Sequence, residues 1–251
     1  MFIKLCLCYV LAQVAAPAKP FSAVSDTDPL VKYRAAAIER WEEDIRKLEQ
    51  LDEKESDPEH AILFVGSSSI RLWETMPEDM APWPTIRRGY GGAKLSDLAV
   101  FVERLVKPHQ FDALAIFVAN DISNSKNENQ PDKSPEEVLE LYKLIVSKVR
   151  QSHPTQPIAF IAITPTSSRF EVWNQIKRAN QLIEDYCDQD ETLFFIATAD
   201  AYLKDGKPND GLFRDDKLHL NRDGYRIWGK LMREAMARIL PEHAATKGTG
   251  A

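Results

Sequence analysis

FDALAIFVAN, residues 111–120, is the most hydrophobic strand-like run in the chain. A continuous apolar run of this length suits a strand covered on both faces, so it is expected near the centre of a parallel sheet. The segments on either side alternate in kind. AILFVG (61–66) is a short apolar run ending in glycine and reads as a buried strand; SIRLWETM and TIRRGY follow as helix and strand. SDLAVFVERLV (96–106) reads as a helix closed by Pro108. Ser134 before Pro135, Glu136 and Glu137 has the form of an N-cap with proline at the first helical position, opening a helix to about Arg150. PIAFIAIT (157–164) is a further strand, 170–189 a helix, and TLFFIATAD (192–200) the last clear strand. HLNRDGYRIWGKLMREAMARIL (219–240) closes the pattern as a helix with Tyr225, Trp228, Met232 and Ile239 on one side. This alternation predicts an α/β fold: a three-layer αβα sandwich, flavodoxin-like, with a mostly parallel sheet of about five strands.

Ahead of that pattern, residues 28–54 place Val31, Ala35, Ile38, Trp41, Ile45 and Leu48 three and four apart, the spacing of an amphipathic helix laid against the domain. The first two dozen residues differ again. Lys4 precedes the apolar run LCLCYVLAQVAA (5–16), which is the length of a signal-peptide core and too short for a bilayer. Small residues follow, so residues 1–23 are expected to be a signal peptide; an N-terminal strand or buried helix is the alternative. Its removal takes away Cys6 and Cys8 and leaves Cys187, a packed thiol in a helical stretch, with no intrachain disulfide. The expected product is exported, periplasmic or secreted, without stable membrane insertion. Residues 60–240 form the domain, and the tail from Pro241 to Ala251 is expected to be disordered. A formal net charge of −6 with no Lys/Arg block gives nucleic acid nothing to bind.

Ligands of parallel α/β sheets bind beyond the carboxyl ends of the strands. Four segments put reactive groups at that edge. GSSSI (66–70) sits at a strand-to-helix turn, where a serine hydroxyl is held out of the core and its amide is a free donor; alternatively Ser67, Ser68 and Ser69 only cap the helix. RRGYGGAKLSDL (87–98) is a glycine cluster that lets a backbone amide approach a ligand, or an ordinary turn. VAND (118–121) ends the central strand, where the Asn120 side chain can donate to a developing oxyanion or simply open a turn. In DDKLHLNRDGY (215–225), Asp216 and His219 are three apart, so the carboxylate can reach imidazole Nδ1 and leave Nε2 free as a base. The other reading is a solvated acidic turn with an incidental histidine.

In order and spacing these four segments resemble the SGNH hydrolases, the GDSL-type lipases and acylhydrolases, over about residues 60–240. Gly66-Ser67-Ser68-Ser69 stands where the family has Gly-Asp-Ser-hydrophobic, so Ser68 aligns with the nucleophile. Arg87-Arg88-Gly89-Tyr90-Gly91-Gly92 resembles the second block and aligns Gly92 with the oxyanion glycine, with Arg87 for the usual Asn and Ala93 for the usual Asp. Asn120 and Asp121 match the third block, with Val118 for Gly, and Asp216 and His219 match Asp-x-x-His. The resemblance implies a serine ester hydrolase working through Ser68, His219 and Asp216. The amides of Ser68 and Gly92 and the side chain of Asn120 would form the oxyanion hole, and no metal or organic cofactor is needed. His60, His109, His153 and His243 lack metal-ligand spacing such as HExxH.

The expected partner is a small-molecule or carbohydrate ester. The loop DISNSKNENQPDK (121–133), longer than most connections and polar except for Ile122 and Pro131, is expected to border the site. It favours a short acyl group, acetyl first, on a hydrophilic alcohol. A lysophospholipase or lipase, an acyltransferase to a sugar, and a non-catalytic carbohydrate-binding domain are the alternatives.

Overall fold

All five residues of strand β1 (Ile62–Gly66) and of strand β3 (Ala113–Phe117) are buried, as expected of strands covered on both faces. The structure is a computed structural model that describes residues 28–128 and 130–241. Strands β2 (Thr85–Gly89), β4 (Ile158–Ile161) and β5 (Leu193–Ile196) complete a parallel sheet in the order β2-β1-β3-β4-β5. The expected signal peptide and, apart from Pro241, the expected tail lie outside the described residues.

Side chains alternate across the sheet and sort into two cores. Leu63, Val65, Leu114, Ile116, Ile158 and Phe160 face helices α1 (Val31–Asp52), α4 (Leu95–Val106), α5 (Pro135–Arg150) and α6 (Trp173–Cys187). Ile62, Phe64, Ala113, Ala115, Ala159 and Ile161 face the short helices α2 (Ser68–Arg71) and α3 (Met76–Met80) and the last helix, α7 (Arg222–Ile239). The second face is small at its centre, with three alanines, and fully buried Trp228, Met232 and Met236 of α7 fill that space. The three-layer, flavodoxin-like architecture read from the sequence is the one observed.

Helix α1 belongs to the same packing. Leu30, Ala37, Trp41 and Ile45 join the core beneath α4, Trp41 Nε1 donates to Asp97 at 3.1 Å, and Arg104 bonds both Glu42 and Glu49. Ser134 caps α5 as expected, accepting from Glu137 N while the Glu137 carboxylate accepts from Ser134 N. Strands β3 and β4 are shorter than their hydrophobic runs. β3 stops at Phe117, three residues before Asn120, and its last bond to the β1 side is from Ser67 N to the Phe117 carbonyl at 3.0 Å. β4 stops at Ile161 because Asn180 of α6 takes over the backbone of Ile163, with bonds of 2.9 Å to its N–H and 3.0 Å to its carbonyl. The helix expected over 170–189 begins as a 3₁₀ turn, Ser167–Val172, and becomes α-helical at Trp173. Among the described residues no helix is long and apolar enough to cross a membrane.

Where β1 ends, Gly66 has φ +141°, and a Cβ built on it would lie 1.9 Å from the Phe117 carbonyl oxygen. Only glycine allows both the backbone angle and the approach. Gly66→Ala is therefore expected to lower the unfolding free energy by more than about 2 kcal/mol in urea melts. Gly92→Ala, whose Cβ would meet nothing closer than 3.9 Å, should change it by less than about 0.5 kcal/mol. Equal effects would contradict the steric account.

Candidate active site

The strand order reverses direction between β1 and β3, and that switch point is where parallel sheets hold ligands. Register pairs Gly66 of β1 with Phe117 of β3 and with Gly89 of β2, so all three chains leave the ladder together. Ser68 follows on β1 and Asn120 on β3. Ser67 is the N-cap residue of α2 but makes no side-chain cap; its backbone does the work, through its N–H on Phe117 and its carbonyl on Ile70 N and Arg71 N. Capping is therefore not what places these serines.

Ser68 and His219, 151 positions apart, meet across the sheet edge: Ser68 Oγ lies 3.0 Å from His219 Nε2. On the other side of the ring, Asp216 Oδ2 lies 2.6 Å from Nδ1, while Asp216 Oδ1 accepts from the amides of Leu218 at 3.0 Å and His219 at 2.9 Å. One carboxylate thus closes its own turn and orients the ring, and Lys217 takes the left-handed conformation (φ 54°) that the turn requires. Burial opposes ionisation of Asp216, but the bonds from His219 and Leu218 outweigh it and hold its carboxyl down at about 2. An ionised carboxylate only accepts, so Nδ1 carries the hydrogen and Nε2 is left to accept from the serine hydroxyl. Asp215 is exposed beside it.

A narrow cavity of about 20 Å³ opens in front of Ser68 and His219. Phe117, Leu220 and Trp228 form its apolar wall, and Asn120, Thr164, Thr166 and Arg169 its polar one. Asn120 Nδ2 donates to the Ala93 carbonyl at 2.9 Å, and its Oδ1 accepts from Arg169 at 2.7 Å. Asp121, buried, accepts from Leu95 N at 2.8 Å and so ties the end of β3 to the start of α4. Burial pushes its carboxyl up, with Lys133 pulling the other way. The glycine cluster divides by cause. Gly89 lies under Ile70, and Gly91 lies under the Trp41 ring, where a Cβ would sit at 1.9 Å; Gly92 has open space toward Asn120. Three of the departures from the family pattern are also explained locally. Arg87 donates to the Trp73 carbonyl, while Ala93 and Val118 are fully buried in the core.

Two features differ from expectation. None of the described residues of the 121–133 loop lines the cavity. The Asp132 carboxylate accepts from Ser123, Asn124 and Ser125 and closes the loop on itself, with Asn124 reaching Glu171 at its outer side. Arg169, Thr164 and Thr166 were missed by sequence reasoning, since a single arginine in a polar stretch and two threonines after a strand give no signal. Cys187 is buried 3.7 Å from the Tyr142 hydroxyl, and burial pushes its thiol up to about 11. Among the described residues no group of three or more His, Cys, Asp or Glu side chains is placed to hold a metal ion.

Residues 65–227 match the model of the GDSL-like Lipase/Acylhydrolase family. A search of curated proteins finds no match. Among solved structures, a GDSL-like lipase from Bacteroides thetaiotaomicron VPI-5482 superposes with a TM-score of 0.64 at 16% identity, covering 78% of this chain and 98% of that one. A carbohydrate esterase family 3 structure from Talaromyces cellulolyticus gives 0.56 at 14% identity, covering 72% and 98%. A lipase/acylhydrolase from Enterococcus faecalis gives 0.55 at 17%, covering 70% and 95%. At these identities the structural likeness carries the fold alone. The family match spans more than half of the 251 residues, and the chain accordingly belongs to the GDSL-like lipase/acylhydrolase family, a carboxylic ester hydrolase.

Proposed function

We propose that the chain hydrolyses short-chain esters, acetyl first, of a hydrophilic alcohol such as a carbohydrate, with Ser68, His219 and Asp216 as catalytic triad. The observation that carries the triad is the line Asp216–His219–Ser68, with contacts of 2.6 and 3.0 Å. Ser68 Oγ bonds to the ester carbonyl carbon as His219 Nε2 takes its proton, and Asp216 stabilises the imidazolium. The oxyanion is received by the amides of Ser68 and Gly92 and by Asn120 Nδ2, whose second hydrogen is not used by Ala93. The imidazolium then gives its proton to the departing alcohol. Water, deprotonated by the same nitrogen, attacks the acyl-enzyme and frees the acid and Ser68.

Ser68→Ala and His219→Ala should each lower kcat by at least about 10⁴-fold, and Asp216→Asn by about 10²–10⁴-fold. Asp215→Asn should stay within about threefold, as for an exposed substitution. Equal losses at Asp215 and Asp216 would sink the assignment. Asp216 has a depressed pKa, so its ionised form persists until pH falls through about 2. The acid limb of kcat/KM should then report one protonation, that of the base, with a slope of about +1. A slope near +2, or a flat profile, would contradict it.

The acyl preference rests on the cavity. It is narrow, about 20 Å³ and well below the usual size of ligand sites, and its wall carries Thr164, Thr166 and Arg169. Structures of this fold include proteins named as a carbohydrate esterase and as lipases, which leaves the alcohol open. Across acetyl, butyryl, octanoyl and palmitoyl esters of one alcohol, kcat/KM should be highest for the short acyl groups. A steady rise toward palmitoyl, at up to ~0.8 kcal/mol per methylene, would replace this reading with a lipase.

Export is proposed from the order of Lys4, the apolar run 5–16 and the small residues after it. Residues 1–23 then act as a signal peptide ahead of the 60–240 domain. N-terminal sequencing of the native protein should find a start between Lys19 and Asp26; an intact Met1 start in the cytoplasm would reject export.

A further inference from the structure

Asn120 is gripped at both ends of its amide. Its Nδ2 donates to the Ala93 carbonyl at 2.9 Å, and its Oδ1 accepts from Arg169 at 2.7 Å. A guanidinium can only donate, so the amide oxygen must face Arg169 and the NH₂ must face Ala93 and the cavity that Asn120 lines. A second guanidinium nitrogen of Arg169 donates to the carbonyl of the preceding residue, Ala119, at 2.6 Å. The arginine therefore clasps two successive residues just beyond the end of β3.

Arg169 is an expensive choice for a clasp. Its side chain is half-buried in the cavity wall, and burial draws its pKa down. Among the described residues it makes no ion pair; its two bonds go to a carbonyl and an amide oxygen. A partly desolvated charge with no carboxylate in contact, eased only by the longer-range charges of Asp132 and Asp121, is costly, and packing alone would be met by a neutral side chain of similar length. What the charge adds is direction and polarisation. A cation on Oδ1 draws electrons from the amide, strengthens its N–H donors and prevents the amide from flipping.

We propose that Arg169 is a positioning residue that acts through Asn120, fixing and polarising the amide that receives the oxyanion. The inference rests on the reaction proposed above. Preorganised donors act on the transition state more than on bound substrate, so the effect belongs in kcat. The alternative use of a cation in the wall, binding an anionic substrate, would act on KM.

The test is a double-mutant cycle on the full chain with an acetyl ester: wild type, Arg169→Met, Asn120→Ala and both together, with Ser68→Ala as reference. Arg169→Met should lower kcat by about 10²-fold, the lower end of what losing one oxyanion donor costs, with KM within about threefold. The acid limb of the pH profile should not move, because the Asp216–His219 contact is untouched. The double variant should be no slower than Asn120→Ala alone, since the arginine has nothing left to act on. Arg169→Lys, the second variant should Arg169→Met fail to fold, keeps a charge but not the two-pronged grip; it should retain more kcat and show the same non-additivity. Losses that multiply in the double variant, or a rise in KM at unchanged kcat, overturn the inference while leaving the reaction standing. Turnover that survives Ser68→Ala overturns both.

Discussion

A buried carboxylate, Asp79, fixes the two halves of the site against each other. It accepts from Trp73 Nε1 at 2.8 Å, Thr75 Oγ1 at 2.6 Å and Arg222 at 2.6 Å, and Arg233 donates to its backbone carbonyl. Burial opposes its charge, yet Arg222, Thr75 and Trp73 hold the carboxyl below the usual carboxylate range. Trp73 lies just downstream of Ser68 on the β1 side, and Arg222 just downstream of His219 on the α7 side. A single Ser68–His219 hydrogen bond adds only about 0.5–1.5 kcal/mol net, too little to bring together residues so far apart in sequence. The approach is set instead by the docking of α7, with Trp228, Met232 and Met236 fully buried, and by the Asp79 cluster. Arg222 remains 43% exposed, so its ion pair counts toward the weaker, surface end of the range. Asp79 is also held by the buried Trp73 donor, and Gly229 of α7 packs so closely over it that a Cβ there would lie 2.8 Å from Asp79.

The turn carrying Asp216 and His219 is by contrast open. The Asp216 side chain is 46% exposed and that of His219 23%. A half-exposed carboxylate contributes little to stability, which suits a group whose proposed task is to orient a ring. Tyr225 adds a further tie, its hydroxyl donating to the Ser69 carbonyl at 2.9 Å, so α7 also braces the turn that presents Ser68. Rigid parts lie beneath the sheet edge and exposed ones above it, the division that a preorganised yet accessible site requires.

Much of this was legible because it is local. A turn of three residues suffices to bring Asp216 to His219, and a glycine ending an apolar run places Ser68 at a strand end. The strand-helix alternation likewise follows from apolar runs and caps. The unreadable parts depend on distant neighbours. Gly91 answers to Trp41, fifty positions earlier, and only Gly92 of the cluster is free toward Asn120. Val118 and Ile163 extend hydrophobic runs without extending strands; both are buried in the helix-side core, and Asn180 supplies the missing ladder partner of Ile163. The polar loop 121–133 looked like a site border by length and composition, but Asp132 folds it upon itself outside the cavity lining. Arg169 carries no local pattern; the 3₁₀ turn that bears it leads into α6, and Ser168 N on that turn donates to the distant Lys217 carbonyl.

The central claim is that Ser68, and neither flanking serine, is the reacting group. Reaction with a fluorophosphonate followed by peptide mass spectrometry tests it most directly, because the probe is captured only by an activated hydroxyl. The account predicts a single adduct on Ser68, lost when His219 is replaced by alanine. An adduct on Ser67 or Ser69, or none in protein that turns over esters, would contradict it.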